Sequence, residues 1–295
     1  MISLGIIMAG GQGSRLKPIT NGVNKHLLPI YDKPMIYYPI STLMLMGIRK
    51  ILIIVNKQDL ASYKNLLGDG KKFGIKINFI IQKKSIGIPD AFRLCARKIY
   101  NKKFALILGD NFFFGQGLSE ILNNIKNFNV GAAIFLKEVS KPQDFGIAVL
   151  KKNKITKIVE KPKKFISSQA ITGLYLFDAN CLGISKKLKF SKRNELEITD
   201  VLNQYLNKKE LNFYRLGRGT IWEDCGSIKS LQYLNNLVKN LEENGAFKIA
   251  CLEEIALNKK YITPKNLAHL DLKIQSDYLK YINKIKTYNK KNENN

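Results

Sequence analysis

Four short runs, residues 4–9, 51–56, 77–82 and 105–109, are apolar on successive positions, and segments of helical length separate them. A strand apolar on every residue has both faces covered, which is the state of a parallel strand flanked by crossover helices. The helix candidates are 34–47, 59–67, 89–100 and 117–128. This order predicts an α/β fold, a Rossmann-like doubly wound mixed sheet. From 131 to 226 the pattern turns strand-rich, with runs at 132–139, 145–151, 155–160, 170–177 and 212–222 and one helix near 197–206. These predict an extension of the sheet with a small antiparallel lobe. Helical spacing takes over after Ser227, at 231–241 and 252–258, and a Lys/Asn-rich composition points to disorder from 286.

The 295 residues carry 49 Lys and Arg against 23 Asp and Glu, a formal +26. Seven of the 49 are Arg and 42 are Lys, spread along the chain. A nucleic-acid reader favours Arg, whose planar fork grips phosphate and base edges, and gathers it into a stripe. Neither feature is present, so the lysine excess reads as background and no nucleic-acid partner is expected. The four cysteines are far apart and only two histidines exist, which leaves no thiolate or imidazole metal cage. Free thiols point to the cytoplasm. No apolar run approaches the ~20 residues of a membrane span, so no membrane partner is expected either.

Open α/β sheets bind ligands at the carboxyl ends of their strands, which directs attention to the loop after the first strand. It reads Ala9-Gly10-Gly11-Gln12-Gly13-Ser14-Arg15-Leu16-Lys17-Pro18. Glycines let the backbone approach a phosphate with its N–H groups, and Arg15 adds a charge-assisted donor. The dinucleotide fingerprint fails, because its third glycine position counted from Gly11 is Leu16; the P-loop Lys-Ser/Thr ending is also absent. Lys25 and His26 follow in Asn24-Lys25-His26-Leu27-Leu28-Pro29. Asp110 and Asp224 each end an apolar run, where a carboxylate needs a compensating group and Mg²⁺ is a natural one. Gln82, at a strand end, carries a donor and an acceptor suited to a pyrimidine edge.

The glycine loop, Lys25-His26-Leu27-Leu28-Pro29, Leu108-Gly109-Asp110-Asn111, Glu160-Lys161-Pro162, Glu195-Leu196-Glu197-Ile198-Thr199-Asp200 and Phe247-Lys248-Ile249-Ala250-Cys251-Leu252-Glu253-Glu254 occur in this order. Together they resemble the sugar-1-phosphate nucleotidylyltransferases over nearly the whole chain. The resemblance implies a nucleotide-diphospho-sugar transferase fold in residues 1–240, with a nucleotide part near 1–130 and a sugar-phosphate part near 131–240. It also implies a C-terminal helical extension over 241–285. The implied reaction joins dTTP and glucose 1-phosphate into dTDP-glucose with release of pyrophosphate, by Mg²⁺-assisted in-line displacement at the α-phosphorus. Arg15, Lys25 and Lys161 are the implied catalytic cations, and Asp110 and Asp224 the implied Mg²⁺ ligands. The nucleotide falls to Gly10, Gly11, Gly13, Ser14, His26, Gln82, Gly87 and Asn111. The sugar phosphate falls to Gly146, Glu160, Lys161, Ile171 and Arg193. Relatives of this type are generally homotetramers of nucleotide-sugar biosynthesis.

The chain departs from the family pattern where the base is framed. Lys83, Ile86, Pro89 and Asp90 stand where the family usually has Pro, Asp, Ala and Gln, which opens UTP or another sugar 1-phosphate as alternatives. A nicotinamide-dependent sugar-nucleotide oxidoreductase is a further alternative, since Tyr205/Lys209 and Tyr261/Lys265 fit Tyr-x-x-x-Lys. Two such pairs are about what chance gives with 13 Tyr and 42 Lys. A basic nucleic-acid-binding protein remains a third, on charge alone.

Overall fold

In the computed structural model, residues 2–125, 128–267 and 276–293 are described. Nine strands form one mixed sheet. Its parallel half runs in the order Lys76–Gln82, Lys50–Asn56, Leu4–Met8, Phe104–Leu108, with Ile6 opposite both Leu52 and Leu106. Alternate residues feed two separate cores. Ile7, Ile51, Ile53, Ala105 and Ile107 pack on one side, and Leu4, Ile6, Leu52, Ile54, Phe104 and Leu106 on the other. That two-sided burial is why these strands read as continuous apolar runs. Lys76–Gln82 differs, being an edge strand that leaves Ile81 40% exposed.

The chain order reverses between Leu4–Met8 and Phe104–Leu108, which opens a crevice at their carboxyl ends. Beyond Phe104–Leu108 the sheet continues with Gln169–Phe177, which is antiparallel to it. Gln169–Phe177 pairs on its other side with Ala132–Glu138 and touches the hairpin Gly146–Lys151/Lys154–Glu160 through Ala170. The hairpin is the expected antiparallel lobe, and Leu211–Arg215, paired to Ala132–Glu138, ends the sheet on that side.

Two expected elements are broken. The run 212–222 divides into Leu211–Arg215 and Thr220–Asp224, because Gly217 and Gly219 turn the chain out of the main sheet. Thr220–Asp224 then pairs with Asn111–Gly115 as a separate ribbon, in register Asp224↔Asn111. The helix expected over 89–100 is interrupted at Cys95, leaving Asp90–Leu94 and Ala96–Ile99.

The long helix Ile228–Asn244 starts at Ser227, whose side chain accepts from the Ser230 backbone N–H while Ser230 reciprocates. Leu252–Asn258 forms as expected. The last helix runs Asp277–Glu293, past residue 286 where composition pointed to disorder. Ile282 is buried and Tyr278, Leu279 and Ile285 pack on the core, and once a helix is so nucleated its polar continuation costs little. Residues 294 and 295 of the expected tail, and 268–275 of the C-terminal extension, lie outside the described residues. Among the described residues no helix is long and apolar enough to cross a membrane.

Candidate active site

The crevice has a volume of about 300 Å³ and lies at the sheet's switch point. Gly10, Gly11, Lys25, His26, Gln82, Gly87, Asp110, Asn111, Gly146, Glu160, Lys161, Ile171, Arg193 and Asp224 all line it. Of the sequence-predicted residues, Gly13, Ser14 and Arg15 stand outside this lining. Gly13 takes a left-handed conformation that a Cβ would not fit, since it would lie 2.9 Å from the Thr20 methyl. Arg15 is largely exposed and reaches back over Gly226, with Nη2 3.8 Å from Asp224.

The two carboxylates are brought together by backbone pairing. The ribbon sets Asp224 opposite Asn111, and the Cys225 N–H donates to the Asp110 carbonyl at 2.9 Å. Lys25 is partly buried, its side chain 12% exposed, and forms a close ion pair with Asp110. Burial alone would push Asp110 up; the Lys25 charge, with hydrogen bonds from Lys25 and Asn111, outweighs it and holds the carboxyl well below the usual carboxylate range. Asp224 goes the other way. Burial first, and repulsion from Asp110 second, push it up to about 7. Lys25 itself is raised, because Asp110 outweighs the burial that opposes its charge.

Two oxygen ligands under mutual repulsion fit Mg²⁺, which takes one or two carboxylates and completes its shell with water and substrate phosphate. Among the described residues no group of three or more His, Cys, Asp or Glu gathers.

Several of these lining residues also make inward contacts that hold the crevice together. Asn111 turns its Oδ1 inward, accepting from the Trp222 indole at 2.6 Å and from the Gly173 N–H at 2.9 Å. His26 is buried, with Nδ1 2.8 Å from Asn24 Oδ1. Burial, then the Lys25 charge, push its pKa down to about 3, so the ring is neutral. Asn24 anchors this turn, with its Oδ1 also accepting from the Tyr63 hydroxyl and its amide donating to Asp59. Gly87 has φ +115°, and a Cβ there would stand 2.1 Å from the Leu196 carbonyl oxygen. Its missing side chain thus lets the base loop close on the 193–199 segment, where the Leu196 N–H donates to the Ile86 carbonyl.

At the sugar end, Glu160 lies opposite Gly146 in the hairpin. Arg193 is ringed by Glu195 at 2.7 Å, Glu160 at 3.2 Å and Glu197 at 3.7 Å, while Lys161 makes no ion pair among the described residues. Burial, then Glu197, push Glu160 above its ordinary value.

The start of the glycine loop, a carboxylate pair and a second cationic group therefore share one crevice. The family model for nucleotidyl transferases matches residues 4–240. The chain belongs to the nucleotidyl transferase family. Its relatives within that family include a glucose-1-phosphate thymidylyltransferase of Neisseria meningitidis, 44% identical over 90% of this chain and 93% of the relative. One from Mycolicibacterium smegmatis is 42% identical over 90% of this chain and 92% of the relative. A solved Bacillus anthracis protein, provisionally assigned to that activity and crystallised with sucrose, superposes with a TM-score of 0.74 at 40% identity. That superposition covers 80% of this chain and 95% of the other. The nucleotidyl transferase fold is what removes the oxidoreductase alternative.

Sequence reasoning missed Trp222 and Gly173, and it read Asp90 only as a departure from the family pattern. Gly173 had a signal, a glycine inside an apolar strand, which marks close backbone approach; here a Cβ would lie 2.5 Å from Asn111 Oδ1.

Proposed function

We propose that the protein is a glucose-1-phosphate thymidylyltransferase, joining dTTP to α-D-glucose 1-phosphate and releasing pyrophosphate. A phosphate oxygen of the sugar substrate attacks the α-phosphorus in line with the departing pyrophosphate. The attacking oxygen is already ionised at neutral pH, so no general base is required. The protein's part is positioning and charge neutralisation. Gly10 and Gly11 offer backbone to the triphosphate, and Lys25 and Arg15 neutralise it. Lys161 and Arg193 receive the sugar phosphate, and Glu160 the sugar hydroxyls, beside Gly146 and Ile171. Asp110 and Asp224 would hold Mg²⁺, which supplies positive charge between the two anionic substrates.

The observation that carries this reading is the gathering of these groups in one crevice. Gly10, Gly11 and Lys25, the Asp110/Asp224 pair, and Glu160, Lys161 and Arg193 all line it, with Lys25 paired to Asp110 and Arg193 to Glu160. Four buried free thiols support a cytoplasmic setting. Half-exposed Tyr233 and Phe247, in and just after the long C-terminal helix, support self-association into the family's homotetramer.

The test is pyrophosphate release from four nucleoside triphosphates against several sugar 1-phosphates, with and without Mg²⁺. Release that requires dTTP, glucose 1-phosphate and Mg²⁺ together is the expected result. No release from any pair would overturn the reading, and a preference for UTP would reassign the nucleotide alone.

A further inference from the structure

Gln82 ends an edge strand with its side chain buried, and its two amide atoms meet different fates. Nε2 donates to Asp90 Oδ2 at 2.8 Å. Oε1 has no partner among the described residues and is buried beside Gly10, where an ideal Cβ would stand 2.5 Å away. Asp90 is itself fixed from behind. Its Oδ1 accepts from Arg93 Nε at 2.9 Å and from Nη2 at 2.7 Å, and its side chain is 1% exposed.

A carboxylate accepts and does not donate, so it settles which way the glutamine amide points. The N–H₂ must face Asp90, which leaves the carbonyl oxygen turned away from it, against Gly10 in the crevice lining. We infer that Asp90, braced by Arg93, is a positioning residue for nucleobase selection: it locks Gln82 to present an acceptor, so the site takes a pyrimidine with an imide N–H and rejects one without it.

This rests on the proposed nucleotidyl transfer from a pyrimidine triphosphate, and sharpens which pyrimidine is read. Thymine and uracil both carry N3–H, a donor that pairs with Oε1. Cytosine carries an unprotonated N3 there, and two acceptors would face each other in a dry site. A buried acceptor left without its donor is the situation in which hydrogen-bonding sites discriminate most strongly. A glutamine at position 90, as the family usually has, carries both donor and acceptor and sets no such direction. The change at this position, which looked like a loss of base specificity, therefore supplies a directional constraint.

The test is steady-state kinetics with dTTP, UTP and dCTP on the wild type, Asp90→Asn and Arg93→Met, with glucose 1-phosphate held saturating. Asparagine can donate to Gln82 and let its amide turn over. For Asp90→Asn the dTTP:dCTP ratio of kcat/KM narrows by about tenfold or more, through KM, with kcat for dTTP within about twofold of wild type. UTP follows dTTP. Arg93 is mostly exposed, so its replacement leaves the fold intact, and loosening Asp90 narrows the ratio about threefold. General damage to the protein would lower all three substrates alike and leave the ratio standing. A ratio within about twofold of wild type in the Arg93 variant, and in the Asp90 variant where it folds, overturns the inference while the transferase reading survives. A wild type that releases pyrophosphate from no pyrimidine triphosphate overturns that reading, and this one with it.

Discussion

Replacing Asp224 by Asn should make the metal-free protein more stable and the enzyme inactive. The carboxyl is pushed from 3.8 to about 7 by burial and by Asp110. Below pH 3.8 both folded and unfolded chains hold the proton, and Asp224 costs nothing. Between 3.8 and about 7 the folded chain keeps a proton that the unfolded chain has released, so stability falls as pH rises, and above 7 the loss is complete. Three units at 1.36 kcal/mol each give about 4 kcal/mol as a ceiling. The side chain is 28% exposed, and solvent screening brings this to about 2–3 kcal/mol, of which about 2 develops between pH 5 and pH 8. The assay is thermal unfolding in EDTA at both pH values. Asp224→Asn should melt higher than wild type at pH 8, with the gap growing by roughly 3–6 °C from pH 5. Mg²⁺ with nucleotide should restore the wild type selectively, while pyrophosphate release by the variant drops by about 10²–10³. A variant less stable at pH 8, or a gap that ignores pH, would refute the claim that repulsion between the two carboxylates is stored in the fold.

Asp110→Asn should also cut Mg²⁺-dependent turnover by about 10²–10³, but with lowered stability, since it leaves the partly buried Lys25 without its partner; denaturant melts distinguish it from the Asp224 variant. Arg15→Ala should lose kcat by a similar factor with an unchanged circular dichroism spectrum, because the side chain is 68% exposed; a change confined to stability would remove the residue from the chemistry. Gly87→Ala places a Cβ 2.1 Å from the Leu196 carbonyl at φ +115° and should cost about 1–3 kcal/mol, read by urea unfolding; a loss below about 0.5 kcal/mol would mean that the loop moves aside freely.

The parallel strands were legible because both their faces are buried, which leaves an unbroken apolar run in the sequence. Asp110, Lys161 and Asp224 were legible because each stands at or just after a strand end, where the fold places its crevice, whereas Arg15, Lys25 and Arg193 were legible through the family motifs that contain them. The ribbon joining Asn111–Gly115 to Thr220–Asp224 was not, because a pairing between residues over a hundred positions apart leaves no local period. That ribbon sets Asp224 beside Asp110, so their mutual repulsion was equally invisible. For Asn111 and His26 the family resemblance implies nucleotide contacts and says nothing of what holds the two side chains. Their inward hydrogen bonds depend on Trp222 and Asn24, partners that only the folded chain supplies. Gln82 shows the same limit at finer grain: its residue type offers donor and acceptor alike, and Asp90 chooses between them.

The formal +26 carries little of this chemistry, and the local balance at the crevice carries nearly all of it. Lys25 neutralises Asp110, and Arg15 stands 3.8 Å from Asp224, so two cations face two carboxylates before any substrate arrives. A triphosphate brings excess negative charge to the same place, and Lys25 cannot serve both it and Asp110 at full strength. A divalent cation held by Asp110 and Asp224 would supply the missing positive charge, offset the repulsion that adds to burial in raising Asp224, and leave Lys25 and Arg15 to the phosphates. At the sugar end Arg193 is likewise surrounded by Glu160, Glu195 and Glu197. Lys25, Arg15 and Arg193 are therefore held in internal pairs that incoming phosphates must break, while Lys161 makes no ion pair among the described residues. That arrangement keeps the paired cations ordered without substrate and makes their release conditional on anions reaching both ends.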